Sequence, residues 1–179
     1  RCATAREAIA LIGALAEEYG YLDEGECLTI ADKKEVWHFE IYGNGTLPVD
    51  PKAKKSRKAP VDKPGAMWVA QRIPDDHVGV SANIPRIGVV DFNNPDMFMY
   101  STGLKERAKA LGLWSGEGDF VFYKVVSDEP KPFSYREFYV LSTMAPSLGL
   151  KFSDPELPFS VKPDKKVSPE DMFAYYRAT

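Results

Sequence analysis

Cysteine and histidine are scarce in this chain, which has two of each: Cys2 and Cys27, His38 and His77. Two cysteines make neither a disulfide framework nor a metal-binding motif. A Ser-His-Asp triad would have to use His38 or His77, and neither has a serine context in sequence that suits one. GxSxG, HExxH, P-loop and GxGxxG patterns are missing too, so the chain offers no self-contained nucleophile. No apolar run approaches the length that spans a bilayer, and no signal-peptide pattern is visible. The first residue is not Met, so the compartment, cytoplasmic or exported, stays open. An excess of one charge is also lacking. A formal net charge of −3 and a pI near 5.5 give no footing for nucleic acid or an anionic membrane.

The chain does have ordinary globular composition, 44% hydrophobic and 27% charged over 179 residues, which suits one domain or part of a larger one. Its organising stretch runs from Trp68 to Phe92. Trp68, Ala70 and Arg72 alternate with Met67, Val69 and Gln71, the period-two pattern of a strand. Pro74, Asp75 and Asp76 then supply turn chemistry, and a second strand is expected over His77–Ala82. That strand delivers Asn83 just before Ile84-Pro85. A side-chain amide presented there suits an oxyanion donor, although the residues alone favour an asparagine that caps a strand and starts a turn.

Upstream, Thr4 and Glu7 form a capping box for a helix whose apolar stripe is Ile9, Ile12, Leu15 and Tyr19, joined by Ala8 and Leu11, with Gly20 past its end. Cys2 lies just outside that helix, as a terminal nucleophile if Arg1 were lost or as a thiol without catalytic meaning. Cys27–Ala31 and Glu35–Tyr42 read as a hairpin around Asp32-Lys33-Lys34, with Trp37, Phe39 and Ile41 on one face, expected in the core. His38 is expected at the surface or an edge. His38 and Glu40 share the other face, which would allow a metal, but no third ligand is near in sequence, so no metal site is expected. Residues 43–66, rich in Pro and Lys, are expected to form an exposed basic loop, with a lid over an anionic group as the alternative.

Downstream, Asn93-Asn94-Pro95 is a turn, and Leu104, Ala108 and Leu111 suggest a short helix. Phe120–Val126 is either strand or buried helix. Ser134 and Glu137 form a second capping box, opening a helix with Phe138, Leu141, Met144 and Leu148 at helical spacing and placing Arg136 in its first turn. A cation there opposes the helix dipole, so this arginine has another reason to be present, a packing or surface role among the alternatives. Ser168-Pro169-Glu170-Asp171 starts a last helix whose pattern is cut at Thr179, as expected of a segment from a longer chain.

Together these segments carry a resemblance. RIPDDHVGVSANIPRIGVVDF strongly resembles the N-terminal-nucleophile cysteine dipeptidases of the dipeptidase A type, a bacterial family to which the secernins are related. TAREAIALIGALAEEYGY, EVWHFEIYGNG, SYREFYVLSTMAPSL and LPFSVKPDKKVSPEDMF are similar to further segments of that family, in the same order. The resemblance covers nearly the whole chain. It implies an α+β chain, part of a four-layer αββα fold, with residues 1–179 an interior segment of a single hydrolase domain. The Cys-Thr start that supplies the nucleophile in the family is not among these residues, so the isolated segment is expected to be inactive. The resemblance implies Asn83 as an oxyanion donor, from the SAN motif, and Arg136 as a site arginine orienting the nucleophile or the substrate carboxylate. Arg136-Glu137 stand where members often carry two arginines. Arg72, Asp75 and Asp76 belong to the motif as residues that shape the turn. The implied function is hydrolysis of a dipeptide or short peptide without a cofactor, in partnership with the remainder of the polypeptide, a homo-oligomer being left open. The alternative is a non-catalytic, secernin-like or peptide-binding relative.

Overall fold

The computed structural model describes residues 1–44 and 65–178. The expected loop over 43–66 lies outside the described residues except at its ends, where Gly43 closes one strand and Ala66 opens the next.

Thr4 caps α1 (Ala5–Tyr19), its hydroxyl accepting from Glu7 N, while the Glu7 carboxylate reaches back to Ala3 N at 2.7 Å. The buried face of α1 is Ala5, Ile9 and Gly13, with Ile12 and Ala16 beside it. Leu11, Leu15 and Tyr19, expected in the stripe, are exposed. Apolar residues cover more of this helix than one face, and packing selects the small side chains because the sheet approaches closely there.

β1 (Glu26–Ala31) and β2 (Val36–Gly43) form the expected hairpin. Its turn is closed by Asp32, whose Oδ1 accepts from Lys34 N and Glu35 N. The other Asp32 oxygen takes Ala5 N at 2.8 Å, which ties the hairpin turn to the first residue of α1. Arg6 adds a two-pronged pair with Glu35, at 2.9 and 3.0 Å, and stacks over Trp37. β3 (Ala66–Ile73) pairs antiparallel with β2, and β5 (Phe98–Tyr100), which the sequence reading passed over, pairs with β3. The sheet order is β1-β2-β3-β5.

Both faces of this sheet are buried. Trp37, Phe39, Ile41, Trp68 and Ala70 pack under α1. Tyr42, Met67 and Val69 on the other face meet Ile87, Val90, Phe98, α2 (Leu104–Ala110) and α3 (Phe122–Val126). The ambiguous Phe120–Val126 stretch is therefore mostly helix, entered through a bridge between Val89 and Val121. A third cluster gathers α4 (Tyr135–Met144), α5 (Pro169–Ala178) and a two-stranded sheet of β4 (Val78–Gly79) and β6 (Ser160–Val161). The chain is α+β, mixed helix and sheet.

The strand expected over His77–Ala82 shrinks to Val78–Gly79, because only these two residues find a ladder partner. Leu148, expected on the α4 stripe, falls in a 3₁₀ turn over Pro146–Leu148 beyond the helix end and is exposed.

Candidate functional site

Asn83 sits at φ 60°, the one non-glycine residue at positive φ among the described residues. Asparagine tolerates that left-handed conformation better than most side chains. It does not end a strand as expected; it turns the chain out of an irregular stretch and onto the face of the β1–β2 hairpin. Its side-chain oxygen accepts from Cys27 N at 3.3 Å. Its Nδ2 donor has no protein partner among the described residues, and the residue is exposed.

The segment after Asn83 is bound residue by residue to the hairpin. The Cys27 thiol approaches Ile84 O at 3.6 Å. Glu40 Oε1 accepts from Arg86 N at 2.5 Å and from Ile87 N at 3.1 Å, and lies 2.7 Å from His38 Nε2. Glu40 is fully buried and His38 is 4% exposed. The expectation of a surface or edge histidine is thus wrong, because β2 is an interior strand of its sheet with cover on both faces. The third ligand missed in sequence is also here. Cys27 faces Glu40 across the β1–β2 ladder, and single donor atoms of Cys27, His38 and Glu40 lie within 4.8 Å of one another.

Arg86, missed by the sequence reading, is the cation of this buried cluster at 4% exposure. Its guanidinium donates to the carbonyls of Pro132, Pro158 and Phe159. Burial lowers its pKa, opposed by Glu137, Glu40 and Cys27. Glu137 is the capping-box acid of α4, its Oε2 accepting from Ser134 N at 2.7 Å and from Ser134 Oγ. The box was legible in sequence; the full burial of its carboxylate was not. Burial, then the Glu40 charge, pushes the Cys27 thiol up to about 12. Cys27 is therefore a neutral thiol near pH 7 and no nucleophile in this state.

Arg136 emerges one residue before Glu137, and its Nη2 donates to Ala82 O at 2.9 Å. The two residues singled out in sequence are thereby brought to one place, Arg136 holding the carbonyl next to Asn83. Beside them is a cleft of about 190 Å³ lined by Ser81, Ala82, Arg136, Val140, Met172 and Tyr175.

A larger cleft of about 770 Å³ lies along the hairpin and takes in His38, Val80, Phe159 and His77. In it His77 Nδ1 lies 2.9 Å from Ser160 Oγ. The two are 83 positions apart, so no local pattern could reveal the pair. Asp76 stands 3.9 Å from His77 Nε2, beyond hydrogen-bond reach, and pairs with Lys162 at 2.9 Å. Arg72 bridges to Asp75 at 2.7 Å inside the preceding turn, the shaping role expected of it. Cys2 is exposed ahead of α1.

Comparison with known proteins now bears on these residues. The chain is 31% identical over 173 residues to a probable dipeptidase of Latilactobacillus sakei, covering 94% of this chain and 32% of that protein. It is 28% identical over 178 residues to a probable dipeptidase B of Streptococcus pyogenes serotype M1, covering 97% and 31%. A probable dipeptidase of Salmonella dublin is 30% identical over 129 residues, covering 72% and 25%. The chain spans about a third of the length of the first two of these curated relatives. The family model for peptidase family C69 matches residues 1–177, a range that holds the hairpin, Asn83 and Arg136, and the chain belongs to peptidase family C69.

Proposed function

We propose that this chain is a segment of a dipeptidase that cleaves peptide bonds with an N-terminal cysteine supplied by the remainder of the polypeptide. In this reading the α-amino group of that cysteine, with an ordinary pKa near 8, takes the thiol proton. The thiolate attacks the substrate carbonyl carbon, and the electron pair of the C=O bond moves to oxygen. Asn83 Nδ2 donates to that oxyanion. Collapse expels the amine, which takes the proton back from the α-ammonium group, and leaves a thioester. Water then attacks the thioester, releasing the acid and restoring the thiol. Arg136, standing beside Asn83, orients the nucleophile or the substrate carboxylate.

The observation that carries the reading is the division of labour within the Asn83 amide. Its oxygen is held by Cys27 N, while its Nδ2 has no protein partner among the described residues. A donor fixed in advance, with its hydrogens still available, is what transition-state charge requires. The same reading extends the fold to the four-layer αββα arrangement, supported by a central sheet that is buried on both faces.

The test is Asn83→Ala in the full-length protein with a dipeptide panel. Loss of an oxyanion donor lowers kcat by about a hundred- to a thousand-fold, and KM changes little because the bond forms only with developing charge. A variant that melts earlier, by about 1 kcal/mol for a lost local hydrogen bond, yet turns over normally per folded site makes Asn83 structural only. No turnover of any dipeptide by the intact wild-type protein selects the non-catalytic relative instead.

A further inference from the structure

Cys27, His38 and Glu40 present sulfur, nitrogen and oxygen donors on one face of one hairpin, within 4.8 Å of one another. The facing is enforced by register: Cys27 opposes Glu40 across the ladder, and His38 precedes Glu40 by one strand repeat. Glu40 Oε1 is used by Arg86 N, Ile87 N and His38, but Glu40 Oε2 is buried with no hydrogen-bond partner among the described residues. Of the four further buried side-chain atoms without a partner among the described residues, two are Arg86 Nε and Glu137 Oε1. Glu137 acts electrostatically on Cys27, and Cys27, Glu40 and Glu137 act on Arg86. Unpartnered polar atoms are rare in native interiors, and one on a carboxylate within the donor cluster, Glu40 Oε2, is what a site lacking its occupant looks like.

We propose that Cys27, His38 and Glu40 form a binding site for a divalent cation of the zinc class. The donor set selects the ion: calcium and magnesium take oxygen shells, whereas mixed thiolate, imidazole and carboxylate ligation suits zinc. A tetrahedral ion with bonds of about 2.0–2.3 Å holds its donors about 3.3–3.8 Å apart, so closure asks roughly an ångström of side-chain rotation on strands already in place. Charge also favours it. The carboxylates of Glu40 and Glu137 outnumber the Arg86 guanidinium by one, and ligation as thiolate adds one more negative charge, which a divalent cation neutralises. Glu40 Oε1, fixed by two backbone amides, orients the carboxylate as outer contacts of metal ligands do. Three protein ligands leave a fourth position for water. The ion clamps together the pieces that hold Asn83 to Ile87, so its role is to rigidify the segment on which Asn83 stands. The site stands on this chain's own residues and does not depend on the peptidase reading.

The test uses the full-length protein titrated with Co²⁺, a spectroscopic stand-in for zinc. Wild type develops a thiolate-to-cobalt charge-transfer band that saturates at one equivalent and is displaced by Zn²⁺. Cys27→Ser abolishes that band, and His38→Gln weakens cobalt binding at least tenfold. A wild type without the band overturns the proposal, and so does a band that survives Cys27→Ser, since its thiolate then belongs to another cysteine. Should either variant fail to fold, alkylation of the wild type followed by peptide mapping decides: zinc that protects Cys27, reversed by a chelator, supports the site, and Cys27 labelling unchanged by zinc overturns it.

Discussion

Glu40 shows what one buried charge does here. A carboxylate on a covered strand is costly unless hydrogen bonds replace water, and Glu40 Oε1 gains three partners, two of them the amides of Arg86 and Ile87. These bonds fasten an irregular segment to a regular one. Glu40→Gln keeps the shape but turns charge-assisted bonds into neutral ones and can set an amide N–H against an amide N–H. The expected loss is about 3 kcal/mol, read as a lower urea midpoint with an unchanged slope. An unchanged midpoint means that the segment is held by other contacts. The sequence showed His38 and Glu40 on a common face, because strand alternation is local. It did not show Cys27 beside them, because hairpin register decides that, nor Arg86 as the buried cation, because the carbonyls that hold its guanidinium lie 46 to 73 positions away. Asn83 and Arg136 were legible as motif residues, but their meeting at Ala82 O rests on a contact across 54 positions.

Among the elements, α1 was legible in existence and capping but not in orientation. Its apolar residues run past one face, and the choice among faces is made by what packs there. Gly13 decides it: a Cβ at this position would lie 2.3 Å from Trp68 Cζ2. Trp68 cannot easily yield, since its indole nitrogen donates to Glu17 at 2.9 Å. Helix propensity alone favours Gly13→Ala by about 1 kcal/mol. Overpacking against a fixed ring costs about 1–3 kcal/mol, so the variant is expected to melt at lower temperature despite its better helix former. A raised melting temperature would show that the helix slides away at little cost. The hairpin was legible to its turn because Asp32 writes its own geometry. β5 and β6 were not, being three- and two-residue strands whose identity comes from their partners. The same reason shortened the strand expected over His77–Ala82, where Asn83 at positive φ leaves the extended region.

At the scale of the molecule, titratable groups tie distant parts together, and their shifts set a pH window. Asp32 is held below the usual carboxylate range by the amide of Ala5, then by those of Lys34 and Glu35. Arg6 lowers Glu35 in the same corner, where α1 meets the hairpin. Asp164 and Asp171 are lowered by Ser147 and Ser168, which anchor the third cluster. A depressed carboxylate contributes stability that is complete above its unfolded pKa and is lost as pH falls through the folded one. The acid limb therefore begins near pH 4 and deepens below it. On the other side, burial and then the bond to Glu156 push Tyr123 from 10.0 up to about 12. A raised phenol works in the opposite sense: its stabilisation is complete below pH 10 and fades as pH rises to about 12. Urea midpoints measured from pH 3 to pH 12 should show a plateau with a limb at each end. Asp32→Asn should lower the plateau and flatten the acid limb, so that its deficit shrinks as pH falls below 4. Tyr123→Phe, which loses the 2.7 Å bond to Glu156, should be less stable at pH 7 and converge on wild type near pH 12. Deficits that stay constant across the whole range would show that both groups act by packing alone, with no proton linked to folding at either.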